Sequence, residues 1–191
     1  MEKLMFYFIT GGVRSGKSTY AETLATSLVK PLATIHYIAT SVPYDEEMHK
    51  RVQLHQNQRQ LQSQKYTTHE VPTDISSVFS SFAKGDVVLL DCLTTWLANE
   101  LFTEKNSWTS LPYRKNVYQK IRATIKEVTK YPVTLIVVSN ELFHDVPFSD
   151  KGTFYYQYLL GQIHQELIRF CTKAIVVEHG LPIVMKGGEN D

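Results

Sequence analysis

The chain predicts an α/β fold, a mostly parallel sheet with helices on both faces, and three observations carry that expectation. Apolar runs rich in β-branched residues alternate with segments of helical periodicity. A glycine-rich octapeptide separates the first apolar run from the first helical segment, and hydroxyl or acidic residues follow several later runs. Strands joined by helical crossovers lie parallel, and a parallel sheet is covered on both faces.

Taken in order, strands are expected at Leu4–Thr10, Ala33–Ala39, Val87–Leu90, Val133–Val138 and Ala174–Val177. Helices are expected at about Lys17–Val29, Asp45–Gln62, Tyr113–Lys130 and Thr153–Cys171. In the second helix Asp45 can cap the start, Glu46 and Glu47 complement the dipole, and Met48 and Val52 form the buried stripe. Pro182–Met185 follows His179-Gly180 so closely that it returns as a hairpin at the sheet edge. The polar stretch Thr103–Pro112 reads as an exposed loop.

With 191 residues, 43% hydrophobic and 20% charged, the chain can bury one core but not two, so 1–191 reads as a single domain. A net charge of +1 sets up no field that gathers nucleic acid or an anionic membrane, which favours small-molecule or protein partners. Cys92 and Cys171 stand in apolar surroundings without metal-type spacing and read as buried thiols of a reducing compartment. No apolar run approaches the ~18 residues of a membrane span. Met1-Glu2-Lys3 leads straight into the first core strand and not into a signal peptide, so a cytoplasmic protein is expected.

The octapeptide Gly11, Gly12, Val13, Arg14, Ser15, Gly16, Lys17, Ser18 fits the phosphate-cradling pattern G-x-x-x-x-G-K-[ST] in the strand-loop-helix setting that the pattern requires. Glycines let backbone N–H groups converge on phosphate oxygens, at a helix N-terminus where the dipole also favours an anion. Lys17 is placed to reach the β- and γ-phosphates, and the Ser18 hydroxyl to coordinate Mg²⁺. Asp91, after four apolar residues, is the expected carboxylate opposite Ser18. The alternative is that it caps a helix over Cys92–Leu101. Strand ends in a parallel sheet gather ligands, so the octapeptide, Thr40-Ser41, Asp91 and Ser139-Asn140-Glu141 are expected along one rim.

Arg51, His55 and Arg59 recur at i, i+4 and i+8 and stack on one helix face. Flanking guanidiniums depress an imidazole pKa and bind polyphosphate, a combination suited to a nucleophile that attacks a nucleotide phosphorus. A solvated basic face is the competing reading.

Five blocks then read together: Thr10 to Ser18; Tyr37-Ile38-Ala39-Thr40-Ser41; Asp45 to Met48 with Arg51-Val52 and His55; Leu90 to Thr94 with Trp96-Leu97 and Asn99; and Ser139-Asn140-Glu141. Over nearly the whole chain this resembles the bifunctional adenosylcobinamide kinase and adenosylcobinamide-phosphate guanylyltransferase family of cobalamin biosynthesis. The resemblance implies a RecA-like phosphate-loop fold. It implies phosphorylation of a corrinoid hydroxyl by ATP or GTP, then GMP transfer from GTP through a guanylylated histidine that matches His55. It also implies nucleotide contacts from Ala39, Thr40, Ser41, Gln56, Asn57, Gln58, Arg59, Glu70 and Asp91, and a homo-oligomer. Two departures stand out. Gln60 replaces the usual proline, and the late helix that reads Phe-Arg-Asp-x-x-Gly-Arg-x-Asn-Gln in the family reads Tyr156-Gln157-Tyr158-Leu159-Leu160-Gly161-Gln162-Ile163-His164-Gln165 here. His164 and His144 stand there as new ligands or as packed or solvated histidines. Two other readings remain: a single-activity small-molecule kinase on the same fold, and a GTP-binding regulatory protein.

Overall fold

The computed structural model of the protein describes residues 5–41, 65–143 and 150–188. Its strands are β1 (Phe6–Gly11), β2 (Thr34–Ala39), β3 (Lys65–Glu70), β4 (Val87–Asp91), β5 (Thr134–Asn140), β6 (Lys173–Glu178) and β7 (Leu181–Lys186). Its α-helices are α1 (Lys17–Leu28), α2 (Leu93–Leu101), α3 (Leu111–Val128) and α4 (Lys151–Phe170). The strands form one sheet in the order β3-β2-β4-β5-β1-β6-β7, parallel except for β7. The expected strands and the hairpin are all present, within a few residues of their predicted bounds.

Strand alternation divides the core between the two faces. Tyr7, Ile9, Val87, Leu89, Ile136 and Val138 pack with Ala21 and Ala25 of α1 on one side. Phe6, Phe8, Val88, Leu90, Leu135 and Val137 pack under α2, α3 and α4 on the other, around Trp96, Leu97, Ile121 and Leu160. Fully burying side chains of this size contributes about 1.5–3 kcal/mol each, so both layers are held to the sheet mainly by apolar contact.

Three features depart from the sequence reading. Strand β3, Lys-Tyr-Thr-Thr-His-Glu, was not expected; as an edge strand with exposed positions it needs no apolar run. Helix α2 follows Cys92 as its N-cap residue, while the Asp91 carboxylate accepts from Tyr37, so Asp91 is not the cap. The stretch Thr103–Pro112 is not simply an exposed loop. It contains a 3-10 turn over Ser107–Thr109, Trp108 packs against the core, and α3 begins at Leu111 with the Ser110 hydroxyl capping Tyr113 N. The expected helix Asp45–Gln62 lies outside the described residues.

The entry to β4 is tied to its neighbours by a buried carboxylate. Asp86 Oδ1 accepts from Thr34 N at 2.8 Å, while Oδ2 accepts from Ala83 N at 2.7 Å and pairs with His36 Nε2 at 3.0 Å. His36 Nδ1 in turn lies 3.0 Å from His69 Nε2 on β3, so the chain of bonds reaches the sheet edge. Burial would raise the Asp86 pKa, but the Thr34 and Ala83 amides and then the His36 ring outweigh it and hold the carboxyl below its ordinary value. Asp86→Asn turns an NH₂ group toward one set of these donors and leaves them unpaired. The expected loss is about 1–3 kcal/mol of unfolding free energy, read as a lowered denaturant midpoint at neutral pH.

Candidate active site

Because six strands run parallel, their carboxyl ends meet at one edge, and the predicted clusters gather there. The register brings Ile9, Val138, Asp91, Ala39 and Glu70 to one level across β1, β5, β4, β2 and β3. Paired residues in parallel strands project to the same face, and Ile9 and Val138 pack on the side of α1. Asp91 and Glu70 therefore stand on the face that carries the phosphate-loop helix. Neighbouring strands lie about 4.8 Å apart, so the Asp91 strand sits roughly 10 Å from β1, with β5 between them.

The loop after β1 is built by close backbone approach. A Cβ on Gly11 would lie 2.4 Å from the Val177 carbonyl and 2.6 Å from Ser15 Oγ, so no larger residue fits. Gly16 caps α1 at φ 89°, and a Cβ there would come within 3.1 Å of Gly180 Cα. Gly180 N also donates to Ser15 O at 2.8 Å. Gly180 belongs to the two-residue turn between β6 and β7, where His179 and Gly180 both have positive φ, as a type I′ hairpin demands. The hairpin thus buttresses the loop.

Lys17 is 8% exposed, and its Nζ donates back to Gly12 O at 3.2 Å, which keeps the ammonium within the loop. Among the described residues Ser15 Oγ is a buried polar atom without a partner, the kind of group that an anion's oxygens or their water shell would satisfy. Gly12, Val13 and Arg14 are exposed at the loop's outer side, and Ser18 is half-buried in the first turn of α1. The Asp91 carboxylate is oriented by the Tyr37 hydroxyl at 2.9 Å. A hydroxyl and a carboxylate form the all-oxygen donor set that Mg²⁺ takes.

The ends of β2 and β4 are latched together. Thr40 is fully buried; its hydroxyl donates to Cys92 O at 2.8 Å and accepts from Cys92 N at 2.9 Å. Asn99 Nδ2 donates to Thr40 O at 2.8 Å and to Pro72 O at 2.9 Å. Sequence reasoning assigned Thr40 to the nucleotide; the structure commits its side chain to aligning the Asp91 strand, and Ala39 and Ser41 flank it half-buried. The positioning roles of Tyr37, Asn99 and Gly180 were missed, although Tyr37 and Asn99 each stood in one of the recognised blocks. The Cys92 thiol, expected in apolar surroundings, is half-buried and lies 2.9 Å from Thr94 Oγ1 and 3.2 Å from Thr95 Oγ1. His55, Gln56, Asn57, Gln58 and Arg59, with Arg51 and His144, lie outside the described residues.

The family model for cobinamide kinase / cobinamide phosphate guanyltransferase matches residues 7–185. The chain belongs to this family. It is 33% identical over 181 residues to the bifunctional adenosylcobalamin biosynthesis protein CobP of Pseudomonas aeruginosa, covering 94% of this chain and 96% of that protein. It is 26% identical over 188 residues to the protein CobU of Salmonella typhimurium, covering 95% of this chain and all of that protein. Among solved structures, an ATPase from a type III secretion system superposes with a TM-score of 0.52 at 12% identity, covering 94% of this chain and 56% of that one. That likeness places the chain in the RecA-like phosphate-loop fold.

The altered late helix is accommodated by packing. Tyr156 OH donates to Thr94 O at 3.0 Å, and Gln157 Nε2 to Leu142 O at 3.0 Å. His164 lies 2.7 Å from Ser139 Oγ and meets Phe8 and Phe143 edge-on, which makes it a packed histidine. Burial lowers its pKa from 6.5 to about 4. Between those values the unfolded chain binds a proton that the folded one excludes, so acid favours unfolding there, by up to about 1.4 kcal/mol per pH unit. His164→Asn, which installs the residue of the family pattern, should flatten this slope between pH 6.5 and 4. Urea titrations across that range check it, and an unchanged slope would refute the neutral buried ring.

Proposed function

We propose that this protein phosphorylates the side-chain hydroxyl of adenosylcobinamide with ATP or GTP and then transfers GMP from GTP to the resulting phosphate. The observation that carries this reading is the rim itself: a phosphate loop walled by β6 and its hairpin turn, facing a tyrosine-oriented Asp91, in a chain of this family. The loop amides and Lys17 bind and orient the triphosphate, and Ser18 and Asp91 are the residues that would hold Mg²⁺. When bound, that ion neutralises charge on the phosphate oxygens.

In the kinase step the corrinoid hydroxyl oxygen attacks the γ-phosphorus, its proton passes to solvent, the bond to the bridging oxygen breaks, and nucleoside diphosphate leaves. In the second step a ring nitrogen of His55 attacks the α-phosphorus of GTP and pyrophosphate leaves; the corrinoid phosphate then displaces the histidine. In this reading Arg51 and Arg59, four residues to either side in the sequence, favour the unprotonated ring and meet the charge on the leaving pyrophosphate. Ala39, Ser41, Gln56, Asn57, Gln58, Glu70 and Arg59 complete the nucleotide contacts in this reading.

A single domain and a homo-oligomer in the cytoplasm belong to the same proposal. It is supported by the near-full-length match and by a net charge that attracts neither nucleic acid nor membrane. Among the described residues no helix is long and apolar enough to cross a membrane.

Lys17→Ala is expected to impair both activities, measured as turnover and GTP affinity; values within about threefold of wild type would remove the loop from catalysis. Asp91→Asn keeps shape but not charge, and should raise the barrier by roughly 3 kcal/mol, or ~100-fold in rate, with partial recovery at high Mg²⁺. An unchanged Mg²⁺ dependence would take Asp91 out of the metal site. His55→Ala should abolish guanylyl transfer and spare phosphorylation. With GTP labelled at the α-phosphate, wild type should carry acid-labile, base-stable label after denaturation. Retention of that label by His55→Ala redirects the assignment to His49 or His69. Phosphorylation by a wild type that never becomes labelled identifies the single-activity kinase instead, and GTP binding without turnover identifies the regulatory protein.

A further inference from the structure

A second concavity, on the face opposite α1, lies between the first halves of α3 and α4 and measures about 750 Å³. That is within the ~300–1,000 Å³ typical of small-molecule sites. Both helices lead back into parallel strands, so both begin at the carboxyl edge of the sheet, and the cleft occupies the rim end of this layer. Its wall is aromatic. Phe154 and Tyr158, one turn apart on α4, are 50% and 56% exposed, with rings at 15° and centroids 6.4 Å apart. Exposed aromatic pairs of this kind mark interaction sites.

The polar groups beside these rings are mostly neutral. Asn116, Gln119 and Gln162 contribute primary amides, Lys115 and Arg114 are the cationic groups, and among the described residues no carboxylate lines the cleft. Gln162 Nε2 donates to Tyr158 OH at 3.2 Å. The Arg114 guanidinium carbon lies over Tyr155, 3.7 Å from the ring centroid, with its NH1 donating to the Trp108 and Thr109 carbonyls, so its charge is held against the protein.

We propose that this cleft receives the corrin ring of the cobinamide substrate, with Phe154 and Tyr158 against its flat apolar face and the three amides meeting its carboxamide rim. The inference rests on the functional reading above. A corrin is a wide apolar disc fringed with primary amides, each both donor and acceptor, which matches aromatic faces edged by side-chain amides. The reacting hydroxyl sits at the end of a flexible side chain, so the ring is held away from the phosphate loop while the arm reaches along the rim.

Titration with dicyanocobinamide, followed by quenching of the fluorescence of Trp108, which lies 6.3 Å from the Tyr155 ring, tests this directly. Phe154→Ala and Tyr158→Ala should each weaken cobinamide binding and raise its KM by about tenfold or more, as loss of an aromatic anchor does. Protein labelling by GTP in the absence of corrinoid reports whether the nucleotide site is intact, and light scattering reports the assembly. Labelling and molecular mass at wild-type values alongside the raised KM are the expected result. A KM within twofold of wild type in both variants overturns the cleft while leaving the functional reading in place. A fall in molecular mass also overturns it, by showing that the face joins copies of the chain. A wild type that neither binds cobinamide nor takes label overturns the functional reading and the cleft together.

Discussion

The candidate site depends on how closely three backbones approach one another at the carboxyl edge of the sheet. Gly11 faces the Val177 carbonyl across a gap that a methyl group would fill, and Gly16 abuts Gly180 in the hairpin turn. These contacts make the loop after β1 follow the wall formed by β6 and the turn. The loop is thereby held at the head of α1, where orphan amides and the helix dipole favour an anion. A side chain at either glycine would press the loop off the wall.

The sheet's two faces divide the work. On one face α1 packs against Ile9, Leu89 and Val138, and the same register row ends in Asp91 and Glu70, so the charged groups share the layer of the phosphate loop. On the other, α2, α3 and α4 cover the larger apolar cluster, and buried polar ties carry its rigidity to the rim. Asn99 holds Thr40, Thr40 holds Cys92, and Asn140 Nδ2 reaches Thr94 at 2.9 Å. Each buried donor or acceptor in this chain would cost about 1–3 kcal/mol if left unpaired. The strand ends therefore keep one alignment.

Most core strands were legible in the sequence because a strand buried on both faces must be apolar throughout, and such runs stand out against their flanks. The phosphate loop was legible because its glycines, lysine and serine are required by local geometry. Strand β3 was not, since an edge strand needs no apolar run. Nor was the ordering of Thr103–Pro112, whose polar composition hides one residue, Trp108, that packs inward.

By itself the sequence determined which groups the chain carries: a glycine-rich octapeptide with its lysine and serine, an aspartate at the end of an apolar run, and a histidine between two arginines, each written in residues close together along the chain. Only the tertiary structure decided which of these share a face and which residues hold them there. The strand order puts β5 between the loop and Asp91, the parity of the register turns Asp91 toward α1, and Tyr37 orients its carboxylate from a strand more than fifty residues earlier. It also decided that Thr40 is a latch, that His164 is packing, and that Tyr158 and Gln162 on α4 line a cleft. Such roles depend on contacts between residues far apart in the chain, and local spacing carries no record of them.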